Sequence, residues 1–155
     1  MNDEWETPDA LYLALDDEFH FDLDAAADDY NFKHPNYLGH WEDNDAFDIA
    51  WHLVGKTVWL NPPYSRKKIR AFMKKAMEES ENGCTVVALV RDDPSASWYQ
   101  RFVDGKAKEV RRLVRRIKFV GAESAYNFPV CVVVYKPNED QSVIDTDYYL
   151  WDWKW

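Results

Sequence analysis

A stiff tetrapeptide carries the side chains of this sequence that are best placed to do chemistry. It is Asn61-Pro62-Pro63-Tyr64, and it directly follows the apolar residues 58–60. Each proline fixes its own φ and biases the residue before it toward extended backbone, so the loop holds an amide oxygen, a carbonyl oxygen and a ring in fixed relation. This suits a planar heterocycle with an exocyclic amino group, which would donate to both acceptors and stack on the ring. A rigid turn after a core strand is the competing interpretation, and these four residues do not choose between the two.

The helices that must position this loop are predicted from apolar periodicity and from capping residues. Thr7 would cap a first helix that runs to about Glu18, with Pro8 in its first turn. A second helix is predicted over 66–81, and a short third one from Ser95 or Ser97 to Phe102.

The strands are predicted from short apolar runs bounded by turn residues. They are a short one within 19–27, then 57–60, 84–90, one within 110–119, and 130–135. Residues 28–50 are predicted as loops and short elements, and an acidic and then aromatic tail covers about 137–155.

Strands and helices alternate along the chain, which predicts an α/β fold with a mostly parallel sheet flanked by helices. The 155 residues are interpreted as a single domain with room for a hydrophobic core. Parallel strands carry ligand sites at their carboxyl ends. We therefore expect three loops to share one edge of the sheet: Asp24-Ala25-Ala26, the tetrapeptide and Arg91-Asp92-Asp93.

The charges are unevenly spread along a chain whose net charge is −9. Residues 1–50 hold fifteen Asp and Glu and one Lys, whereas thirteen of the nineteen Lys and Arg fall in 66–75 and 106–118. Such asymmetry can give an acidic protein a positive face that contacts phosphates. The second basic segment is poorly balanced by acids and is interpreted as a DNA contact. For the first, DNA contact and a solvated helix face balanced by nearby glutamates both remain open.

The composition does not favour membrane, secreted or metal-binding proteins. No apolar run approaches the ~20 residues that span a bilayer, and residues 1–4 do not resemble a secretory signal. Cys84 and Cys131 lie in apolar runs and are interpreted as buried thiols, and no spacing predicts a metal site or a disulfide framework. We therefore expect a cytoplasmic protein without membrane contact or metal.

Further segments, in chain order, extend the signal beyond the tetrapeptide. They are Trp5-Glu6-Thr7-Pro8, Phe21-Asp22-Leu23-Asp24-Ala25-Ala26, Trp59-Leu60-Asn61-Pro62-Pro63-Tyr64, Val86-Val87-Ala88-Leu89-Val90, Trp98 and Arg116-Ile117-Lys118-Phe119. Several motifs in one order are far more specific than a single motif. Over about residues 5–135, this order resembles the phage-type DNA N-6-adenine methyltransferases.

The resemblance implies a single Rossmann-like class I methyltransferase domain over 1–155, with S-adenosylmethionine as methyl donor and adenine N6 in DNA as acceptor. It implies that Asn61, Pro62, Pro63 and Tyr64 form the catalytic loop. The residues implied on the cofactor side are Thr7, Pro8, Asp24, Ala25 and Ala26. Of the three aspartates that could contact the ribose or adenine of the cofactor, Asp43, Asp45 and Asp48, we choose Asp45. The expected phosphate contacts are Arg66, Lys67, Arg115, Arg116 and Lys118. An acid at a strand end also caps the next turn, and this alternative stays open for Asp24.

The chemistry of adenine agrees with such a loop. Its amino group is a poor nucleophile because the lone pair is delocalised into the ring. Hydrogen bonds to the Asn61 side-chain oxygen and the Pro62 carbonyl would raise the electron density on N6, and Tyr64 would stack on a base that has left the duplex. Cytosine N4, an RNA base or a protein glutamine would suit the same loop. An inactive binding module, such as a DNA mimic, is the alternative from a different class.

Two segments depart from the family pattern. Arg91-Asp92-Asp93-Pro94-Ser95 replaces the usual loop that begins with proline and bears arginine and threonine, and Arg115 stands where a glycine is usual. Both changes bear on DNA docking and on the second wall of the site. The chain length leaves little room for a separate target-recognition domain. Sequence choice would then come from short loops, from the basic segments or from a second subunit, as in a homodimer.

Overall fold

The computed structural model describes residues 5–39 and 45–153, which form helices and strands in alternation and end in three strands. The helices are α1 (Asp9–Phe19), α2 (Arg66–Glu81) and α3 (Ser97–Phe102), with a 3-10 turn at Trp51–Leu53. The strands are β1 (Leu23–Asp24), β2 (Thr57–Leu60), β3 (Thr85–Arg91), β4 (Glu109–Leu113), β5 (Val130–Tyr135) and β6 (Asp147–Trp151).

The six strands of the described residues form one sheet in the order β1-β2-β3-β5-β4-β6. β1, β2 and β3 are parallel and β4 is parallel to β6, whereas β5 is antiparallel to both of its neighbours. Five of these six strands therefore run in one direction, so the sheet is mostly parallel as expected, with β5 as the exception. The reason for the exception is local: residues 114–129, all described, form no helix between β4 and β5, and a parallel pair needs a long crossover connection.

Helices cover both faces of the sheet. The register places the side chain of Trp59 on the same face as Val87 and Val134, and Tyr135 on the opposite face. Tyr12 of α1 packs edge-on against Trp59, with ring centroids 5.4 Å apart. On the other face, the Tyr135 hydroxyl donates to the Phe102 carbonyl of α3, and α2 packs beside α3. Every residue of β5 is buried, as expected for a strand covered on both sides.

Several element boundaries differ from the expectation, while β2, α2, α3 and β5 confirm it. The first helix begins at Asp9 and Pro8 precedes it, so Thr7 does not cap it. β1 is limited to two residues because the chain turns at Ala25 and Ala26. β4 ends at Leu113, so the basic residues at 115–118 follow the strand instead of lying in it.

The aromatic tail contributes a strand that the sequence did not predict. β6 pairs parallel with β4 along its whole length. Its exposed and half-buried residues lack the regular alternation that identifies an edge strand in sequence. Residues 137–153 therefore belong to the sheet and its connections.

Candidate active site

The carboxyl ends of three neighbouring parallel strands bring the three predicted loops to one edge of the sheet. The tetrapeptide lies in the middle, at the end of β2. On one side, the Ala25 N–H donates to the Trp59 carbonyl at 3.0 Å, which ties the loop after β1 to β2. On the other side, the Tyr64 hydroxyl donates to the Leu89 carbonyl of β3 at 3.0 Å. The loop is thus held from both neighbouring strands.

The side-chain amide of Asn61 has a defined orientation. Its Nδ2 donates to the Trp5 carbonyl at 2.6 Å and to the Thr7 hydroxyl at 3.0 Å. A carbonyl oxygen is only an acceptor, so the Trp5 contact identifies which end of the amide is nitrogen. Thr7 is almost fully buried, which keeps its hydroxyl in place. Both amide protons are therefore used inside the protein, and Oδ1 is the end of the side chain left to accept.

Tyr64 is fixed by its hydroxyl and leaves little of its ring uncovered. Burial raises the pKa of the Tyr64 hydroxyl well above its usual value, so this group remains a donor. It lies 3.0 Å from the Leu89 carbonyl and 3.3 Å from Asn61 Oδ1, and the shorter contact is the better hydrogen bond. The Pro62 carbonyl accepts no hydrogen bond from residues 5–39 or 45–153. Two acceptors, Asn61 Oδ1 and this carbonyl, are thus available in one rigid loop.

A narrow cleft separates the tetrapeptide from the loop after β1. It is lined by Ala26, Ala27, Asp28, Asn61 and Pro63, among others, and its volume is about 20 Å³. The small alanines leave this space beside the Asn61 amide. The cleft therefore takes a group of a few atoms next to the Asn61 side chain.

Asp24 lies beneath this cleft and organises the loop above it. It is 3% exposed. Its two carboxylate oxygens accept from the backbone N–H groups of Ala26, at 3.3 Å, and Lys33, at 2.9 Å. Burial raises the pKa of Asp24 to about 6, against the lowering effect of these hydrogen bonds. The described contacts of Asp24 are therefore those of a residue that holds a turn.

This buried carboxyl predicts a specific pH dependence of stability. A carboxyl whose pKa is higher in the folded than in the unfolded state makes folding less favourable as the pH rises from about 4 to about 6. We expect the difference in unfolding free energy, wild type minus Asp24→Asn, to fall by about 2 kcal/mol between pH 4 and pH 7. Urea unfolding followed by tryptophan fluorescence measures it. A difference that stays constant over this range would contradict the burial argument.

The other residues expected near the cofactor are distributed differently. Pro8 leads into α1, and its carbonyl accepts from the N–H groups of Leu11 and Tyr12. The Asp45 carboxylate accepts from the Phe47 N–H at 2.7 Å and does not line the cleft. Asp43 lies outside the described residues. The structure thus brings Ala26 together with the tetrapeptide, but not Asp45.

A much larger cavity adjoins the tetrapeptide at Tyr64. It has a volume of about 970 Å³ and is lined by Tyr64 and by aromatic residues of the segment 119–128. Trp5 stacks on Phe119 with centroids 5.5 Å apart, and Tyr126 packs against both rings. Sequence reasoning missed Trp5, Phe119 and Tyr126 as part of one wall. The only sequence signal was their aromatic character, because they are up to 121 positions apart in the chain.

The unusual residues 91–95 pack onto this wall. Nε of Arg91 donates to the Tyr126 hydroxyl at 2.6 Å, and its guanidinium lies 3.9 Å from the centre of the Phe128 ring. Asp92 pairs with Arg112 at 2.7 Å. Arg91, the first residue of the segment that departs from the family pattern, therefore contacts the aromatic wall of the cavity through Tyr126 and Phe128.

The basic residues expected at phosphates fall into two groups. Arg66 and Lys67 are exposed at the start of α2, and Arg66 lines the large cavity. Arg115 pairs with Asp152 at 3.6 Å, and Arg116 donates to the Asn127 carbonyl. Lys118 is exposed. Much of the second basic segment thus has protein partners, which its sequence does not reveal.

No helix in the described ranges is long and apolar enough to cross a lipid bilayer. Within residues 5–39 and 45–153, no three His, Cys, Asp or Glu side chains are grouped as metal ligands would be.

Two solved structures are similar to the chain, each at 11% sequence identity. The ATP-dependent type ISP restriction-modification enzyme LlaBIII bound to DNA has a TM-score of 0.38, and the match covers 61% of this chain and 10% of that one. The type IIL restriction-modification enzyme MmeI in complex with DNA has a TM-score of 0.47, with 92% and 23% covered.

Two phage proteins named DNA N-6-adenine-methyltransferase are similar in sequence. The protein of Escherichia phage T1 is 34% identical over 100 residues, which are 64% of this chain and 40% of that protein. The protein of Haemophilus phage HP1 (strain HP1c1) is 29% identical over 155 residues, 94% of this chain and 86% of that protein. The chain thus spans less than half of the first relative and most of the second. The family model for DNA N-6-adenine-methyltransferase (Dam) matches residues 1–144, so the chain belongs to this family, and the resemblance seen in its motifs is confirmed.

Proposed function

We propose that this chain is a single Rossmann-like methyltransferase domain that transfers a methyl group from S-adenosylmethionine to N6 of adenine in DNA. The target adenine leaves the duplex and enters the tetrapeptide loop. Membership of the family supports the choice of adenine and of DNA. The geometry of Asn61 supports the assignment of the reacting site.

The orientation of the Asn61 amide is the observation that carries this proposal. With Nδ2 bound to Trp5 and Thr7, Oδ1 is presented as an acceptor without any rearrangement. The Pro62 carbonyl is the second acceptor. Together they take the two N–H groups of the adenine amino group and shift electron density onto N6, so the loop acts by positioning and electrostatics. As N6 gains the methyl group it loses one proton to solvent, and the acidity of the methylated amino group makes a strong base unnecessary.

The large cavity beside Tyr64 has the character of a base pocket. Its volume lies within the range of pockets that bind small molecules. Its walls are aromatic, and extruded bases are commonly held by stacking between such side chains. Tyr64 is the stacking residue of the tetrapeptide, and Phe119 and Tyr126, whose ring centroids lie 6.1 Å and 5.9 Å from that of Tyr64, extend the same aromatic wall.

The narrow cleft lined by Ala26, Ala27 and Asn61 fits the methyl-bearing end of the donor. Alanines at 26 and 27 leave room for a small group there, and the volume suits only that part of the molecule. When bound, the donor supplies an electrophilic methyl group on a positively charged sulfur. Ala26, Ala27 and Asp28, which line the cleft, would hold this end, while Asp24 positions the loop they belong to.

Methylation of defined DNA duplexes tests the proposal. Purified protein, labelled S-adenosylmethionine and duplexes of varied sequence are incubated together, and the labelled base is identified by digestion and mass spectrometry. We expect N6-methyladenine. Label on cytosine would replace the proposed acceptor, and no incorporation by a protein that binds the donor would reject the activity.

The hydroxyl of Thr7 gives a finer test of how Asn61 is positioned. Thr7→Val keeps the shape of the side chain and removes the acceptor 3.0 Å from Nδ2. One lost hydrogen bond is worth about 1 kcal/mol, so we expect kcat to fall about fivefold with little change in KM for DNA. Single-turnover kinetics measures the effect. Thr7→Ser restores the hydroxyl and is expected to recover most of the rate; equal rates for Val and Ser would remove this role.

A further inference from the structure

A second cavity next to Tyr64 concentrates positive charge. It lies between α2, the end of β3 and the start of α3, has a volume of about 480 Å³, and is lined by Arg66, Arg70, Arg91, Asp93 and Trp98, among others. We call it the arginine cavity. Tyr64 lines both this cavity and the proposed base pocket, so the two spaces adjoin at the residue that would stack on the base.

The arginines of this cavity lack the carboxylate partners that most arginines elsewhere in the described residues have. Within the described ranges, Arg66, Arg70 and Arg91 form no ion pair with a carboxylate, whereas Arg111, Arg112 and Arg115 pair with Glu18, Asp92 and Asp152. The one acid in the cavity, Asp93, accepts a hydrogen bond from the Ser95 hydroxyl at 3.1 Å. Three positive charges and one negative charge therefore leave a net charge of about +2 facing one space.

Two of these side chains are held in place by aromatic rings. The Arg70 guanidinium lies 5.7 Å from the centre of the Phe102 ring. Arg91 is fixed by Phe128 and by the bond from its Nε to Tyr126, and its Nη groups have no hydrogen-bond partner in the described part of the chain. Guanidinium groups held by stacking, with free N–H donors, are suited to bind a phosphate.

We propose that the arginine cavity binds a backbone phosphate next to the target adenine, on the strand that carries it. This inference rests on the proposed function, since that function places the extruded adenine beside Tyr64. The position follows from the shared residue: a nucleotide stacked on Tyr64 has its neighbouring phosphates within the adjoining space. Arg70 and Arg91 hold the phosphate oxygens, and Arg66 closes the mouth of the cavity.

Neutral phosphate analogues test this contact on the duplex in which the methylated adenine has been mapped. One phosphate at a time, on either side of that adenine, is replaced by a methylphosphonate, and binding is measured for wild type and for Arg70→Gln. We expect one position at which the replacement weakens wild-type binding roughly tenfold but has little further effect on Arg70→Gln. Additive effects at every position would overturn the proposal.

The salt dependence of binding provides an independent measurement. The slope of log K against log salt concentration is negative, and the loss of one phosphate contact in Arg70→Gln should reduce its magnitude by about 0.9. Arg101→Gln is the matched control, because Arg101 is exposed on α3 and does not line the cavity; it should keep the wild-type slope. Equal slopes for wild type and Arg70→Gln would overturn the proposal.

Inorganic phosphate separates a DNA contact from a site for a free anion. If phosphate alone raises the melting temperature of wild type but not of Arg70→Gln, while the two proteins bind DNA with the same slope, the cavity binds free phosphate and the DNA contact is rejected. The underlying function fails separately: it fails if wild type methylates no adenine. If wild type methylates adenine, but Arg70→Gln keeps the wild-type salt slope and the effects of the methylphosphonates are additive, only the phosphate contact is rejected.

Discussion

Asn61→Ala is expected to lower methyl transfer to DNA at least 100-fold while the protein stays folded. Removing one preorganised hydrogen-bonding group from a reacting centre typically costs a factor of about 10² to 10³ in kcat. Asn61 is half-buried, and within the described part of the chain its side chain bonds to Trp5, Thr7 and Tyr64 alone. The loss should therefore fall on the chemical step more than on the fold.

Asn61→Asp tests the orientation of the Asn61 amide. The aspartate keeps an acceptor oxygen, but it places a second oxygen where Nδ2 now meets the Trp5 carbonyl at 2.6 Å. Two acceptors at that distance repel each other, so the carboxylate must rotate or become protonated. We expect transfer by Asn61→Asp to fall between that of the wild type and that of Asn61→Ala.

Single-turnover methylation with saturating DNA and labelled donor measures both variants. Far-ultraviolet circular dichroism and the rise in melting temperature with S-adenosylmethionine serve as controls, since a donor that binds the folded state stabilises it by mass action. Wild-type transfer by Asn61→Ala would remove Asn61 from the reaction. Loss of the donor-induced shift would place its role in donor binding instead.

The parts of the fold set by local patterns were predictable from the sequence. The bounds of β2 and α2 agree with the prediction because the apolar run and the amphipathic stripe are each bounded by clear breakers, Pro62 and Gly83. Gly83 has φ of +103°, a conformation that favours glycine. The common edge of the three loops also follows, since consecutive strands with crossovers between them run parallel.

The parts set by contacts between distant segments were not predictable. Thr7 was expected to cap α1, but its hydroxyl bonds to a residue 54 positions away. Arg115 and Arg116 were assigned to phosphates on their charge, yet their partners at 152 and 127 become visible only in the folded chain. The wall formed by Trp5, Phe119 and Tyr126 is of the same kind. The sequence shows which side chains could bind a ligand or DNA. The fold shows which of them already have partners within the protein.

This distinction also bears on where DNA contacts are expected. Sequence favoured the second basic segment because few acids lie near it along the chain. In the folded protein, its arginines find acids from α1, from the loop after β3 and from the tail. Arg66, Arg70 and Arg91, which have no carboxylate partner in the described residues, lie instead around the cavity beside Tyr64. Charge balance along the sequence is therefore a weaker guide than charge balance in space.

The ring and the hydroxyl of Tyr64 are expected to have separable effects. Tyr64→Leu removes the stacking surface, which is worth roughly 1–3 kcal/mol for one base. We expect kcat/KM for DNA to fall roughly 5- to 150-fold. Tyr64→Phe keeps the ring, so its transfer rate should stay close to that of wild type.

The Phe variant should instead show its effect in stability. Without the hydroxyl, the buried Leu89 carbonyl loses its donor at 3.0 Å, and an unsatisfied buried group costs about 1–3 kcal/mol. Urea unfolding and methylation kinetics on both variants measure the two effects. Slow transfer by Tyr64→Phe would assign a catalytic role to the hydroxyl, and fast transfer by Tyr64→Leu would mean that the base stacks elsewhere. The predicted pattern, in which both variants lose stability but only Tyr64→Leu loses transfer, arises only if the hydroxyl holds the loop and the ring holds the base.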